Sequence, residues 1–86
     1  MRRIIEEEEL SGLEKLLGQK VLLMCSSYFY TGTLVGVNSD HVVLSDPKIV
    51  YETGPWNQGS YKDVQPMVTS EWCVAIRHIE SYGLGK

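Results

Sequence analysis

The chain has 86 residues, 43% of them apolar, and carries eight Lys/Arg against eleven Asp/Glu for a net charge of −3. That length makes one domain, which buries only ~60–65% of the surface its unfolded chain exposes, so oligomerisation is one way to add core. The composition argues against a disordered chain and against a membrane span of ~20 apolar residues. It also argues against a protein that coats nucleic acid through bulk positive charge, since residues 10–86 hold six Lys/Arg against seven Asp/Glu.

The N-terminus, Met-Arg-Arg-Ile-Ile followed by four glutamates, lacks the apolar core of a signal peptide, and a cytoplasmic location is expected. Residues 1–10 read as an acidic arm. It either extends the helix that follows, because acids are favoured near a helix N-terminus, or stays solvated. Ser11-Gly-Leu-Glu14 fits a capping box. Leu13, Leu16 and Leu17 then supply an apolar face and Gly18 a stop, which predicts a short helix over residues 12–17.

From Lys20 the pattern becomes that of strands. Residues 21–25 form the first, Ser26-Ser27 a turn, residues 28–37 the second strand and residues 41–45 the third. Asp46-Pro47 bends or ends that strand, because proline donates no ladder hydrogen bond; residues 49–53 are a candidate continuation. Residues 54–63 are a loop by composition. A fourth strand is predicted over residues 67–76, with Trp72, Val74 and Ile76 on one face. Arg77-His78 interrupts the run, residues 79–82 make a fifth strand, and residues 83–86 a tail. Cys25 and Cys73 sit in apolar runs and form no close pair. They read as buried free thiols, with no disulfide, metal or cofactor expected.

The second strand carries Gly32 and Gly36, although glycine weakens a strand and packs nothing. Strict alternation puts both on one face with Leu34, and Phe29, Val35 and Val37 on the other. Emptying one face lets a strand curl sharply toward it, as at the corners of small barrels. Apolar residues on both faces imply cover on both sides. The expected fold is mainly β: a short N-terminal helix and five antiparallel strands in a strongly bent open barrel. The domain spans residues 11–82, with a variable loop at residues 54–67.

Gly32-Thr-Leu34-Val-Gly-Val37-Asn38, followed by Val42-Val-Leu44, resembles the first motif of the Sm-like proteins (Sm, LSm and the bacterial Hfq type). Ala75-Ile76-Arg77-His78-Ile79 resembles the second. The likeness covers roughly residues 11–46 and 70–82. Asn38 stands where the family more often has Asp, and the turn after it has the shorter, Hfq-type length. Asp40 falls where an aromatic would stack a base, and no glycine follows Arg77. The resemblance implies an SH3-like barrel that joins other copies in a ring. It also implies that the 38–41 and 77–78 turns lie side by side at a central pore and bind single-stranded nucleic acid, more often RNA.

Each motif also has a plainer reading. Asn38, Ser39, Asp40 and His41 suit a turn, because such side chains satisfy their own backbone. They equally offer donors, acceptors and an imidazole to an unstacked base. Arg77-His78 is either a solvated tight turn or a repeated charge at the pore. Trp56 and Tyr61 either anchor the loop by local packing or form a base-stacking platform. Tyr28 and Tyr30 belong to core or interface. No nucleophile–base pairing, phosphate loop or carboxylate pair stands out, so no enzyme activity is expected.

Residues 71–76 carry no Lys, Pro or other edge protection beyond Glu71, so this strand is expected to be paired. In the Sm-like arrangement it meets the fifth strand of the next copy. That makes Trp72, Cys73, Val74, Ala75, Ile76, Ile79 and Tyr82 the candidate oligomer interface. Two functions are compatible with these features. One is a ring binding single-stranded RNA or DNA. The other, favoured by the acidic arm and near-neutral body, is a ring-forming protein–protein adaptor without a nucleic-acid role.

Overall fold

The computed structural model describes residues 12–86. The acidic arm and the Ser11 cap lie outside the described residues. A 3-10 turn (Gly12–Leu16) precedes β1 (Lys20–Cys25), β2 (Phe29–Val37), β3 (His41–Glu52), β4 (Asp63–Pro66) and β5 (Glu71–Ala75). A second 3-10 turn (Ile76–His78) leads into β6 (Ile79–Leu84). The strands form one unclosed antiparallel sheet in the order β4-β3-β2-β1-β6, and β5 also pairs with β3. Among the described residues, no helix is long and apolar enough to cross a membrane.

Several expectations need correction. The predicted helix is only a 3-10 turn. Leu17 N–H donates to Glu14 O at 3.3 Å and Gln19 N–H to Leu16 O at 2.9 Å, both at three-residue spacing. So short a segment gains few bonds for the residues it orders, and an α-helix does not propagate; burial of Leu13 in the core fastens it instead.

The second correction is that there are six strands, not five. β3 continues through Asp46-Pro47, and the strand facing it is split. β5 pairs with residues 41–45 and β4 with residues 48–52. The split lies opposite a bulge at Asp46, whose φ is +49°. Aspartate is one of the few non-glycine residues that enter this region readily, and proline is tolerated at a bulge. Across the break, Asp46 N–H donates to Ser70 O at 3.2 Å and Met67 N–H to Pro47 O at 2.9 Å. The variable loop predicted over residues 54–67 therefore contains β4. The predicted tail is partly strand, since β6 runs to Leu84.

A second irregularity sits in β2. Leu34 pairs with Leu44 but Gly36 with Val43, which leaves Val35 as the extra residue. An extra residue reverses the alternation of faces. Leu34 and Val37 consequently pack on the same core, and Val35 is exposed. The expectation that Val37 shares a face with Val35 fails for that reason.

The core gathers Leu13, Val21, Leu23, Leu34, Val42, Leu44 and Val74 with Cys25. Burial, with a smaller effect of the Glu80 carboxylate, pushes the Cys25 thiol above its ordinary pKa. The second cysteine departs from expectation: Cys73 is exposed on β5. Its side chain alternates with Val74, the one fully inward residue of that strand.

Candidate nucleic-acid interface

Asn38 organises the turn between β2 and β3. Its Oδ1 accepts the backbone N–H groups of Asp40 at 2.8 Å and His41 at 2.9 Å. Its own N–H donates to His41 O at 3.0 Å. With Oδ1 committed to two donors, the amide orientation is settled, and Nδ2 faces His41 Nε2 at 3.3 Å. Since an amide NH₂ only donates, the contact is a hydrogen bond in the tautomer that keeps the lone pair on Nε2. Asn38 and Asp40 are exposed and His41 is half-buried.

The second turn, Ile76–His78, is exposed at both Arg77 and His78. Arg77 Nε stands 3.5 Å from His78 Nε2. Pairing of β3 with β5 sets His41 opposite Ala75, and Ile76 N–H donates to Asp40 O at 2.9 Å. That bond joins the two turns. A shallow recess between them is lined by Ser39, Asp40, His41, Ala75, Ile76 and Arg77. Further along the chain, Ser26 N–H donates to His78 O at 3.2 Å, tying the β1–β2 turn to the same end of the sheet.

The candidate interface residues divide. Trp72, Cys73 and Tyr82 are exposed, Ala75, Ile76 and Ile79 are half-buried, and Val74 is buried in the molecule's own core. β5 and β6 are each paired along one side only among the described residues. Beside β5 runs a groove of about 220 Å³ whose walls include Tyr28, Tyr30, Trp72, Cys73 and His78. Tyr28 meets Tyr30 and Tyr51 edge-on, with ring centroids 6.5 and 6.3 Å apart. Tyr30, half-buried, has its phenol pKa raised, first by burial and then by Cys25 and Tyr28.

Trp56 and Tyr61 lie far along the chain from both turns. Their rings flank the ammonium of Lys86 at 5.2 and 5.3 Å. Lys86 is a contact that sequence reasoning misses; the only hint is an aromatic pair in a Gly/Pro-rich loop. Among the described residues, no cluster of three or more His, Cys, Asp or Glu could hold a metal ion. In comparisons with known proteins, no family model, curated protein or solved structure matches this chain.

Proposed function

We propose that this protein binds single-stranded nucleic acid, with RNA the favoured candidate, as an Sm-like ring of several copies. The 38–41 and 77–78 turns of each copy would line the pore. The observation that carries this reading is the Ile76 N–H bond to Asp40 O, which holds the two polar turns together as one recess. Support for assembly comes from the single-sided pairing of β5 and β6. Two different free edges favour head-to-tail contact, which closes a ring when the rotation permits. Repetition around a ring also answers the charge objection. One guanidinium per copy becomes a circle of them, and linked weak contacts multiply.

In this reading Arg77 offers a planar fork of donors to phosphate or base. Asn38 and His41 hold each other in place and present the rest of their edges to a base, and Ser39 adds a hydroxyl. Asp40 repels phosphate, so bases or sugars occupy its side of the recess. Binding should weaken with salt along a shallow slope, because few phosphates are neutralised per copy.

The test is titration of labelled poly-U, poly-A and single-stranded DNA at low and high salt. Arg77→Ala should lose at least about tenfold in affinity, equivalent to about 1.4 kcal/mol. Lys48→Ala and Lys62→Ala, which remove the same charge, should lose less. Lys62 already has a partner in Glu52 at 3.7 Å. Equal losses from all three would mean generic attraction without a recess. Absence of binding by the parent protein, together with a multimeric mass, would favour the protein–protein adaptor.

A further inference from the structure

The segment between β3 and β4 encloses a positive charge. Lys86 Nζ donates to Thr53 O at 2.7 Å, Pro55 O at 2.8 Å and Ser60 O at 3.3 Å. The faces of Trp56 and Tyr61 complete the enclosure. A primary ammonium has three N–H donors and no acceptor, and three carbonyls meet it here. The two rings add the attraction of their quadrupoles. The one ion pair among the described residues is Lys62–Glu52, so this charge is held by backbone dipoles and aromatic faces without a carboxylate.

The main chain beside Nζ is fastened as well. Lys86 N–H donates to the Tyr61 hydroxyl at 3.0 Å, and Gly85 N–H to Lys20 O at 2.9 Å. A Cβ at position 85 would stand 2.8 Å from the Tyr61 hydroxyl and 3.1 Å from the Val21 carbonyl. A side chain there would push the Tyr61 hydroxyl aside and crowd the Val21 carbonyl. Behind the enclosure lies a cavity of about 390 Å³, with Lys20, Asp46 and Lys48 on its sheet side and Ser60, Tyr61 and Lys86 on its loop side.

We propose that residues 53–61 are a receptor for a primary ammonium, occupied by Lys86 of the same chain, and that this contact is a releasable strap holding the loop over the cavity. The ligand class follows from the donor count. A guanidinium is planar and cannot aim three N–H groups from one nitrogen at converging carbonyls. A quaternary ammonium keeps the charge but has no N–H at all, and an acylated lysine keeps one N–H but no charge. Any of these at position 86 frees the loop. The strap does not depend on assembly into a ring.

The test uses the isotope-labelled full chain. In Lys86→Met, exchange of the Gln58 amide, which donates to Pro55 O at 3.2 Å, should speed up at least about tenfold, a scale set by cation–π contacts alone. The Trp56 indole signal should shift, while β1 and β3 amides stay as protected as in the parent. Lys86→Arg should behave like Lys86→Met. Adding n-butylammonium to Lys86→Ala, which vacates the path of the side chain, should return the Trp56 signal toward its parental position in a saturable way. Tetramethylammonium should not, and the parent should respond to neither. Unchanged loop exchange in Lys86→Met would overturn the strap. Equal responses to the two cations, or a parent-like Lys86→Arg, would overturn the receptor.

Discussion

Gly32→Val lowers the melting temperature by on the order of 15 °C in the expected outcome, combining an overpacking cost of about 2–3 kcal/mol with the sensitivity of a small domain. A Cβ at position 32 would stand 2.9 Å from the Ser45 carbonyl oxygen, 3.1 Å from Leu44 Cβ and 3.4 Å from Pro47 Cα. The nearest of these is main chain and cannot swing aside. The cause is the Asp46 bulge. Thr31 pairs with Lys48 and Thr33 with Ser45, so β3 carries an extra residue opposite Gly32 and crowds it. Gly36 differs. Its nearest neighbours are Val43 Cγ2 at 3.4 Å and Cβ at 3.5 Å, ordinary side-chain contacts. Gly36→Val should therefore melt within a few degrees of the parent, roughly the effect of less than 1 kcal/mol. Thermal denaturation of the two variants side by side decides the matter. Similar melting temperatures would show that close approach of β3 does not explain Gly32.

Val74→Pro should be the second severe lesion. β5 is attached to the sheet through β3 alone among the described residues, and Val74, opposite Val42, is its one buried anchor. Proline removes the ladder N–H and fixes φ, and leaving a buried acceptor unpaired costs about 1–3 kcal/mol. Val74→Ala serves as the comparison, since it keeps the N–H and loses only side-chain packing. In the ring reading, Val74→Pro also detaches the strand that meets the next copy. Light scattering should then report a collapse to monomer in Val74→Pro at a concentration where Val74→Ala keeps the parent mass. A monomeric parent would remove the ring outright. A Val74→Pro variant with parental mass and melting would mean that β5 carries neither the fold nor the assembly.

Much of the sheet is legible in the sequence, and the illegible parts have a common cause. β1 reads plainly because four of its six residues are apolar and buried, Val21, Leu22, Leu23 and Cys25. The turn at Asn38 reads plainly because its bonds are local. The bulges at Val35 and Asp46 do not, because each is a mismatch between two strands and neither strand alone reveals it. The same holds for the division of the fourth strand, which faces one of those bulges. The candidate recess is intermediate. Both turns are visible as turns, but their juxtaposition needs the pairing of β3 with β5. The Lys86 enclosure is the least visible, since its acceptors are backbone carbonyls, which every residue type possesses.

The division of the strand facing β3 has a consequence for cooperativity. Three of the five strand pairings run through β3, to β2, β4 and β5. Loss of β3 therefore releases its neighbours together. β4, which buries no residue of the core, can open by giving up its pairing with residues 48–52 and the Met67–Pro47 bond, whereas opening of β5 also exposes Val74. Local opening free energies differ between such units within one native state. The Lys86 enclosure sits at the β4 end of β3, and the Arg77 turn at the β5 end. With the strand facing β3 interrupted between them at residues 67–70, freeing the loop at one end leaves the bonds that hold the recess at the other end in place.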